Sequence, residues 1–389
     1  MSYGGLSVKT HPSYFPLVER IVRNRVLTSL IDGFVLTFNL LNSVTLLAPV
    51  SSTISTQMKT GEINYELEKN IEVISQLDGL VADAVDNILV DPDTCWQPSD
   101  FLPDFGDPNV HEEIKLLQKR AEGIPDTVLT SLIGNMITEE ALPSYQTYFN
   151  MLEGVNPERN LLSVGGWVRW SKSWTAEENR HGDLLNKYLY MTGRVDMKAV
   201  ERTIHRLLTN GFDPNSGGDP YQAIVYTSFQ ERATKISHVN TGKLADQAGD
   251  SILGRICKQI AGDEARHEKA YKSFMSRIFE IDPNGALLAF EKLMRKQIVM
   301  PAVLMGEGSS NPSLFTQFSE ITQKVGIYTS WDYARIIDHL VGLWKIEALT
   351  GLDAAAAKAQ DYLAKLSERY MRVADRMKAP DEVKLAWLK

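Results

Sequence analysis

The chain has 389 residues, enough for one large domain or two ordinary ones with a substantial core. Its formal net charge of −8 excludes a general nucleic-acid binder, which needs a basic surface to meet phosphates. Two cysteines, Cys95 and Cys257, form neither a CxxC pair nor a disulfide framework, which excludes a cysteine-based metal ribbon and fits a reducing compartment.

Residues 1–57 differ in composition from the rest of the chain: Lys9, Arg20, Arg23 and Arg25 stand against only Glu19 and Asp32, among many Ser, Thr and Asn. A basic, hydroxyl-rich, acid-poor leader of this kind reads as an organelle transit peptide or a disordered leader. The competing signal is FVLTFNLLNSVTLLAPV, from Phe34 to Val50. It is short for a spanning helix and is interrupted by Asn39, Asn42 and Pro49, so no stable membrane insertion is expected. Residues 58–389 are expected to form a single domain, because no low-complexity linker divides them.

Beyond residue 60 the apolar residues recur at helical spacing, with punctuation by Pro, Gly and Asp clusters such as GFDPNSGGDP and EIDPNG. The pattern predicts an all-α fold of about 9–11 helices, near 67–90, 111–121, 126–153, 165–191, 196–209, 219–241, 245–280, 284–298, 313–324, 330–347 and 353–376. Several reach 25 residues or more, which suits the long antiparallel helices of a bundle. The nonperiodic stretch 91–110 is expected to wrap the bundle, anchored by Trp96 and Phe101.

Two of the long helices carry one phrase twice. AEENRHGD contains Glu177, Glu178, Arg180 and His181; AGDEARHE, 86 residues later, contains Asp263, Glu264, Arg266 and His267. Residues three apart share a helix face, so Glu178 with His181, and Glu264 with His267, are ready ligand pairs. A single ExxH is more often an exposed charged stripe. Two copies that share the preceding acid and the Arg, in a chain with seven histidines, are harder to dismiss.

Two ExxH helices supply half of a carboxylate-bridged two-metal site, and the other half needs one Glu from each of two further helices. The helix before the first phrase carries MITEEALP, with Glu139 and Glu140, and the helix before the second carries Glu231. The offsets, 39 residues from Glu139 to Glu178 and 33 from Glu231 to Glu264, describe a duplicated helix pair, the arrangement of a ferritin-like four-helix bundle core. Spacing alone does not choose between Glu139 and Glu140. Around Glu231, the residues Ile224, Thr227, Ser228, Thr234 and His238 make a mixed apolar and hydroxyl face, where a bare carboxylate would be costly and a cation would offset the cost. Mixed carboxylate and imidazole ligands without thiolate suit iron or manganese. Glu177 and Asp263, four residues before each His, are candidate acceptors for the other imidazole N–H; an exposed Glu177 is the competing reading.

With these residues placed, the chain resembles the soluble plant acyl-[acyl carrier protein] desaturases, over roughly residues 69–365. The resemblance rests on CWQPSDFLPD, MITEEALPSYQT, WTAEENRHGDLLNKYLY, YTSFQERATKISH, GDEARHEKAY, FEIDPNG, VGLWKIEALTGL and KAQDYLAKL. It implies a homodimeric enzyme of fatty acid biosynthesis in the plastid (chloroplast) stroma. Such an enzyme uses two Fe ions, dioxygen and electrons from ferredoxin to place a cis double bond in an acyl chain held on acyl carrier protein. The family's ligands fall on Glu139, Glu178, His181, Glu231, Glu264 and His267, which favours Glu139 over Glu140. Thr234 matches a hydroxyl beside the oxygen-binding face, and Trp96 and Asp263 match an electron route. The resemblance places a substrate pocket at Tyr148, Met151, Leu152 and Ala223, where bulk would favour a shorter chain or another bond position. Lys235 stands where the family has an aromatic, and Val303 where it often has His.

Other readings of the same ligand set are a ferroxidase, a radical-generating subunit, or a noncatalytic relative that binds acyl carrier protein. The acidic carrier protein is expected to dock on Lys258, Lys269, Lys272 and Arg277, or on Lys292, Arg295 and Lys296.

Overall fold

A computed structural model describes residues 68–306 and 314–389; the leader 1–57 lies outside the described residues. No strand occurs among them, only an isolated bridge between Val195 and Leu388. The helices, in chain order, are α1 (Asp78–Asn87), α2 (Val110–Glu122), α3 (Asp126–Glu139), α4 (Leu142–Asn150), α5 (Gly166–Thr192), α6 (Met197–Asn210) and α7 (Pro220–Gln247). After these come α8 (Ser251–Ile281), α9 (Pro283–Lys296), α10 (Leu314–Val325), α11 (Ser330–Leu343), α12 (Ala354–Ala364) and α13 (Leu366–Ala374).

Four of them close a ring: α3 packs on α5, α5 on α8, α8 on α7, and α7 back on α3. This is the expected bundle core. α8 runs for 31 residues, so at 1.5 Å per residue it is about 46 Å long. α7 and α8 make the longest contact because only Ala248, Gly249 and Asp250 separate them. Gly249 turns the chain at φ +91°, and the Asp250 side chain accepts from Leu253 N at 3.0 Å to start α8. The remaining helices clad the ring, with α1 and α2 on α5, α10 on α3, and α9 and α11 on α7.

Three segments expected as single helices are divided, the first of them, 67–90, at the turn residue Leu77. The 126–153 segment ends α3 at Glu139 and restarts as α4 at Leu142, with Pro143 in the new first turn, where its missing N–H is not needed. The 353–376 segment breaks at Lys365. The break within 126–153 positions the site, because the last residue of α3 is then Glu139.

The core beside the site is aromatic. Trp170 Nε1 donates to Tyr271 OH at 3.0 Å, and the two rings meet edge to face at 5.4 Å; such pairs contribute about 0.5–1.5 kcal/mol beyond area burial. At the start of α5, Trp167 N donates to Asp78 Oδ1 at 3.2 Å and its indole to Ile74 O at 2.8 Å, which pins α5 against the chain around α1. Gly166 permits that contact: a Cβ there would lie 2.1 Å from Asp78 O.

Of the expected docking lysines and arginines, several are already engaged. Lys272 turns inward to Glu268 at 2.6 Å, Arg277 pairs with Glu280 at 2.7 Å, and Arg295 pairs with Glu291 at 2.6 Å. Neither run is a row of free cations.

Candidate metal centre

Glu139 ends α3, Glu178 and His181 lie on α5, Glu231 on α7, and Glu264 and His267 on α8, so each wall of the ring contributes. Their ligand atoms fall into two groups, Glu139 with Glu178, His181 and Glu264, and Glu231 with Glu178, Glu264 and His267. Within each group the atoms lie within 4.8 Å of one another. Glu178 and Glu264 belong to both groups. Glu139 and His181 belong to the first group alone, and Glu231 and His267 to the second alone.

The end of α3 gives Glu139 and Glu140 different directions. Glu139 points inward; Glu140 points away and accepts from Asn186 Nδ2 at 3.0 Å.

The four carboxylates and two imidazoles fit a metal pair. Glu178 Oε1, Glu264 Oε1, His181 Nδ1 and His267 Nδ1 are fully buried yet make no hydrogen bond. His267 Nδ1 is only 2.7 Å from Glu178 Oε1, but the approach is out of line for one. Four orphaned donors and acceptors facing one space would be costly without an ion. Burial, followed by the neighbouring carboxylates, raises the pKa of Glu231 well above the ordinary range; burial also raises that of Glu139, against a lowering contact from His238. Glu178 is driven the other way: burial opposes ionisation, but the charges of His181 and His267 outweigh it. The site is a carboxylate-bridged metal site.

The outer contacts are crossed. Asp263, on α8, meets His181 Nε2 of α5 at 3.2 Å, and Glu177, on α5, meets His267 Nε2 of α8 at 3.0 Å. A carboxylate can only accept, so each imidazole donates through Nε2, which leaves Nδ1 as the atom that would face a metal once it carries no proton. The competing picture of an exposed Glu177 is overturned, since Glu177 is 5% and Asp263 2% exposed. Burial raises the Asp263 carboxyl, but His181 and Arg266 hold it down at about 2.

The repeated arginines had no role in the sequence pattern, and the structure gives them one. Arg180 donates to Asp263 Oδ2 at 2.9 Å and to Trp96 O at 2.7 Å; Arg266 reaches Glu177 Oε2 at 2.8 Å and Asp263 Oδ1 at 2.6 Å. Every constant letter of the phrase is therefore used. Trp96 stacks parallel to His181, 6.1 Å between centroids, and donates Nε1–H to Asp263 Oδ2 at 2.9 Å; Phe101 meets Trp96 edge-on at 5.7 Å. His238, fully buried, adds a contact that periodicity did not single out: its Nε2 lies 3.0 Å from Glu139 Oε1.

A narrow cavity of about 80 Å³ opens from the ligands and is lined by Glu139, Glu178, Glu231, Glu264 and Thr234 at one end and by Tyr145, Tyr148, Phe149, Phe212 and Tyr226 further along. A wider cleft of about 670 Å³ lies beyond it, lined by Tyr148, Met151, Leu152, Leu208 and Phe212. Tyr148 and Phe212 line both spaces and form the partition, packed edge-on at 5.3 Å. The Tyr148 hydroxyl is latched to Ser216 Oγ. Met151 is 75% exposed at the cleft, whereas Leu152 is buried in its wall. Ala223 lines neither space; it is buried one turn before Thr227, whose hydroxyl donates to Ala223 O at 2.9 Å and which lines the inner cavity. Phe212 and Ser216, in the punctuating GFDPNSGGDP stretch, carried no periodic signal.

Two Glu-x-x-His helices completed by lone glutamates from two others define a carboxylate–histidine metalloprotein of the four-helix-bundle class. The chain belongs to the fatty acid desaturase family, whose profile matches residues 69–388. It is 50% identical over 308 residues to stearoyl-[acyl-carrier-protein] 9-desaturase 2, chloroplastic, of Oryza sativa subsp. indica, spanning 79% of this chain and 77% of that protein. The stearoyl-[acyl-carrier-protein] 9-desaturase, chloroplastic, of Ricinus communis is 50% identical over 311 residues, with 79% and 77% covered. The palmitoyl-[acyl-carrier-protein] 4-desaturase 3, chloroplastic, of Ophrys sphegodes is 49% identical over 311 residues, with the same coverage. Among solved structures, the X-ray structure of a candidate acyl-ACP desaturase, DesA2 of Mycobacterium tuberculosis H37Rv, aligns at TM-score 0.49 and 17% identity, over 74% of this chain and 99% of that one.

Proposed function

We propose that the chain is an acyl-[acyl carrier protein] desaturase that introduces a cis double bond into a saturated acyl chain, with dioxygen and electrons from reduced ferredoxin. The observation that carries this reading is the pair of ligand groups sharing Glu178 and Glu264 at the head of a narrow, largely apolar cavity. Two iron ions held by Glu139, Glu178, His181, Glu231, Glu264 and His267 would supply the oxidising power that an unactivated methylene demands.

The chain's own residues bind, orient and exclude water. Phe149, Trp174, Tyr226 and Tyr271 give the cavity an apolar wall beside the carboxylates, which suits an alkyl chain and keeps bulk water from the reacting carbons. Thr234, one turn after Glu231, places a hydroxyl in the same cavity, where it can hold a proton near the ligands. Trp96 and Asp263 lie in line with His181 and support an electron path inward from the 91–110 segment. The Tyr148–Ser216 latch closes the cavity's far end and sets the acyl length, with Phe212 beside it and Met151 and Leu152 beyond; Ala223 acts on this wall through Thr227.

The relatives' chloroplastic names support a plastid location, which we refine to the stroma, with residues 1–57 acting as a transit peptide and 58–389 as the catalytic domain. No described helix is long and apolar enough to cross a membrane. Acyl carrier protein delivers the substrate, ferredoxin the electrons, and the working form is a homodimer. Incubating iron-loaded protein with reduced ferredoxin, oxygen and a panel of acyl carrier protein thioesters, followed by double-bond mapping, tests the reading. Absence of an alkene at every chain length would sink it.

A further inference from the structure

Outside the metal site, one buried carboxylate attracts more positive charge than it needs. Glu268 is 1% exposed, at the junction of α7, α8 and α11. Arg232 NH1 donates to its Oε1 at 2.8 Å, Lys272 Nζ to the same oxygen at 2.6 Å, and Lys235 Nζ to Oε2. His339, from α11, accepts from Lys272 through Nε2 at 3.0 Å and stands 3.6 Å from Glu268. Three cations against one carboxylate leave two positive charges in excess, on side chains only 17–26% exposed.

One cation would satisfy Glu268, and the others add mutual repulsion in a place where water screens poorly. The excess is felt locally: burial first, and then the charges of Arg232 and Lys272, push the His339 pKa down to about 4, against the opposing pull of Glu268. His339 is thus neutral at physiological pH and adds no charge. Its Nε2 accepts, so its proton sits on Nδ1.

The unused hydrogen-bonding groups are all donors. An ammonium has three N–H bonds; Lys235 gives one to Glu268, and Lys272 gives one to Glu268 and one to His339. The Arg232 guanidinium has five, of which NH1 uses one here. Glu268 is already enclosed and cannot serve this surplus.

We infer that the cluster of Arg232, Lys235, Lys272 and His339 around Glu268 binds a compact dianionic oxyanion, inorganic phosphate or a phosphate monoester. A dianion matches the two excess charges, and its tetrahedral oxygens match donors arriving from three helices. Arg232 follows the ligand Glu231, and Glu268 follows the ligand His267, so the ion clamps α7 to α8 directly behind the metal site.

The test is a calorimetric titration of the iron-loaded full chain with inorganic phosphate, and separately with glycerol phosphate, at constant ionic strength. Lys235→Met and Lys272→Met each leave Glu268 two cationic partners, so both variants keep their helicity and metal content. The inference expects saturable binding of one ion per chain, weakened at least tenfold in each variant. Tighter binding of glycerol phosphate assigns the site to a monoester, and the reverse assigns it to the free ion. Binding that is unchanged in both variants places the ion elsewhere, for instance at the metal site, and overturns the inference, as does the absence of saturable binding at millimolar phosphate. Lys272→Arg, which keeps the charge, restores affinity if the cluster binds the ion and leaves it low if the loss came from disturbed packing.

Discussion

His267 donates its Nε2–H at 3.0 Å to Glu177, which lies 90 residues earlier and belongs to the other Glu-x-x-His helix. Asp263 returns the relationship to His181 at 3.2 Å. Each helix therefore orients the imidazole of its partner rather than its own.

This crossing makes a specific prediction. Glu177→Gln should disturb the side of the site served by His267 and Glu231, and Asp263→Asn the side served by His181 and Glu139. Loss of such an outer partner costs about 10–100-fold in metal affinity or activity. Metal titration and turnover of the two variants check it, with helicity unchanged by circular dichroism. If Glu177→Gln disturbed only the His181 side, the crossed assignment would be wrong.

Tyr148→Ala should remove the partition between the inner cavity and the wider cleft, since Tyr148 lines both and is latched to Ser216. Relative rates on the thioester panel should then move toward longer acyl chains. An unaltered chain-length profile would show that the partition does not limit the substrate.

Two glycines separate packing from backbone effects. A Cβ at Gly166 would meet Asp78 O at 2.1 Å and Ala82 N at 2.8 Å, both backbone atoms that cannot swing aside. Gly166→Ala should cost about 1–3 kcal/mol, as overpacking does. At Gly262, inside α8, a Cβ would meet nothing within 4 Å, so Gly262→Ala should stabilise by about 0.5–1 kcal/mol through helix propensity. Urea unfolding of both variants measures the contrast.

His339 gives a pH dependence with a definite sign. Its pKa in the fold is lowered to about 4 by burial and by Arg232 and Lys272, below the ordinary value of about 6.5. Between those values the unfolded chain binds the proton and the fold does not, so this residue makes stability fall as pH drops from about 6.5 toward about 4 and adds no further loss below that. Comparing the urea midpoints of the wild type and His339→Phe at pH 7 and pH 4.5 isolates the effect. The wild type should lose more on acidification; an equal loss in both would remove His339 as the cause.

The six candidate ligands were legible because helical spacing fixes which residues share a face, whatever the helix packs against. Glu139 and Glu140 were not separable that way, since the choice depends on where α3 ends, and the ending lies with Pro143 and the turn at Glu140. The crossed partners were hidden for a different reason. Spacing marked Glu177 and Asp263 as acceptors, but which imidazole each one meets is decided by how α5 and α8 lie together. His238, on α7, and Ser216, in the loop before it, act on residues 99 and 68 positions away, beyond any local pattern. Lys235 stood out as a departure from its family, but its partner Glu268 is 33 residues on and became evident only when the helices were packed.

Glu178 and Glu264 serve both ligand groups, and this governs how the site fills. An ion held in either group would order the two carboxylates that an ion in the other group would also need. Intermediate, singly loaded protein should be scarce during titration, and a chelator should strip the centre in one concerted step. Occupancy would then switch between empty and complete, with little half-filled protein between.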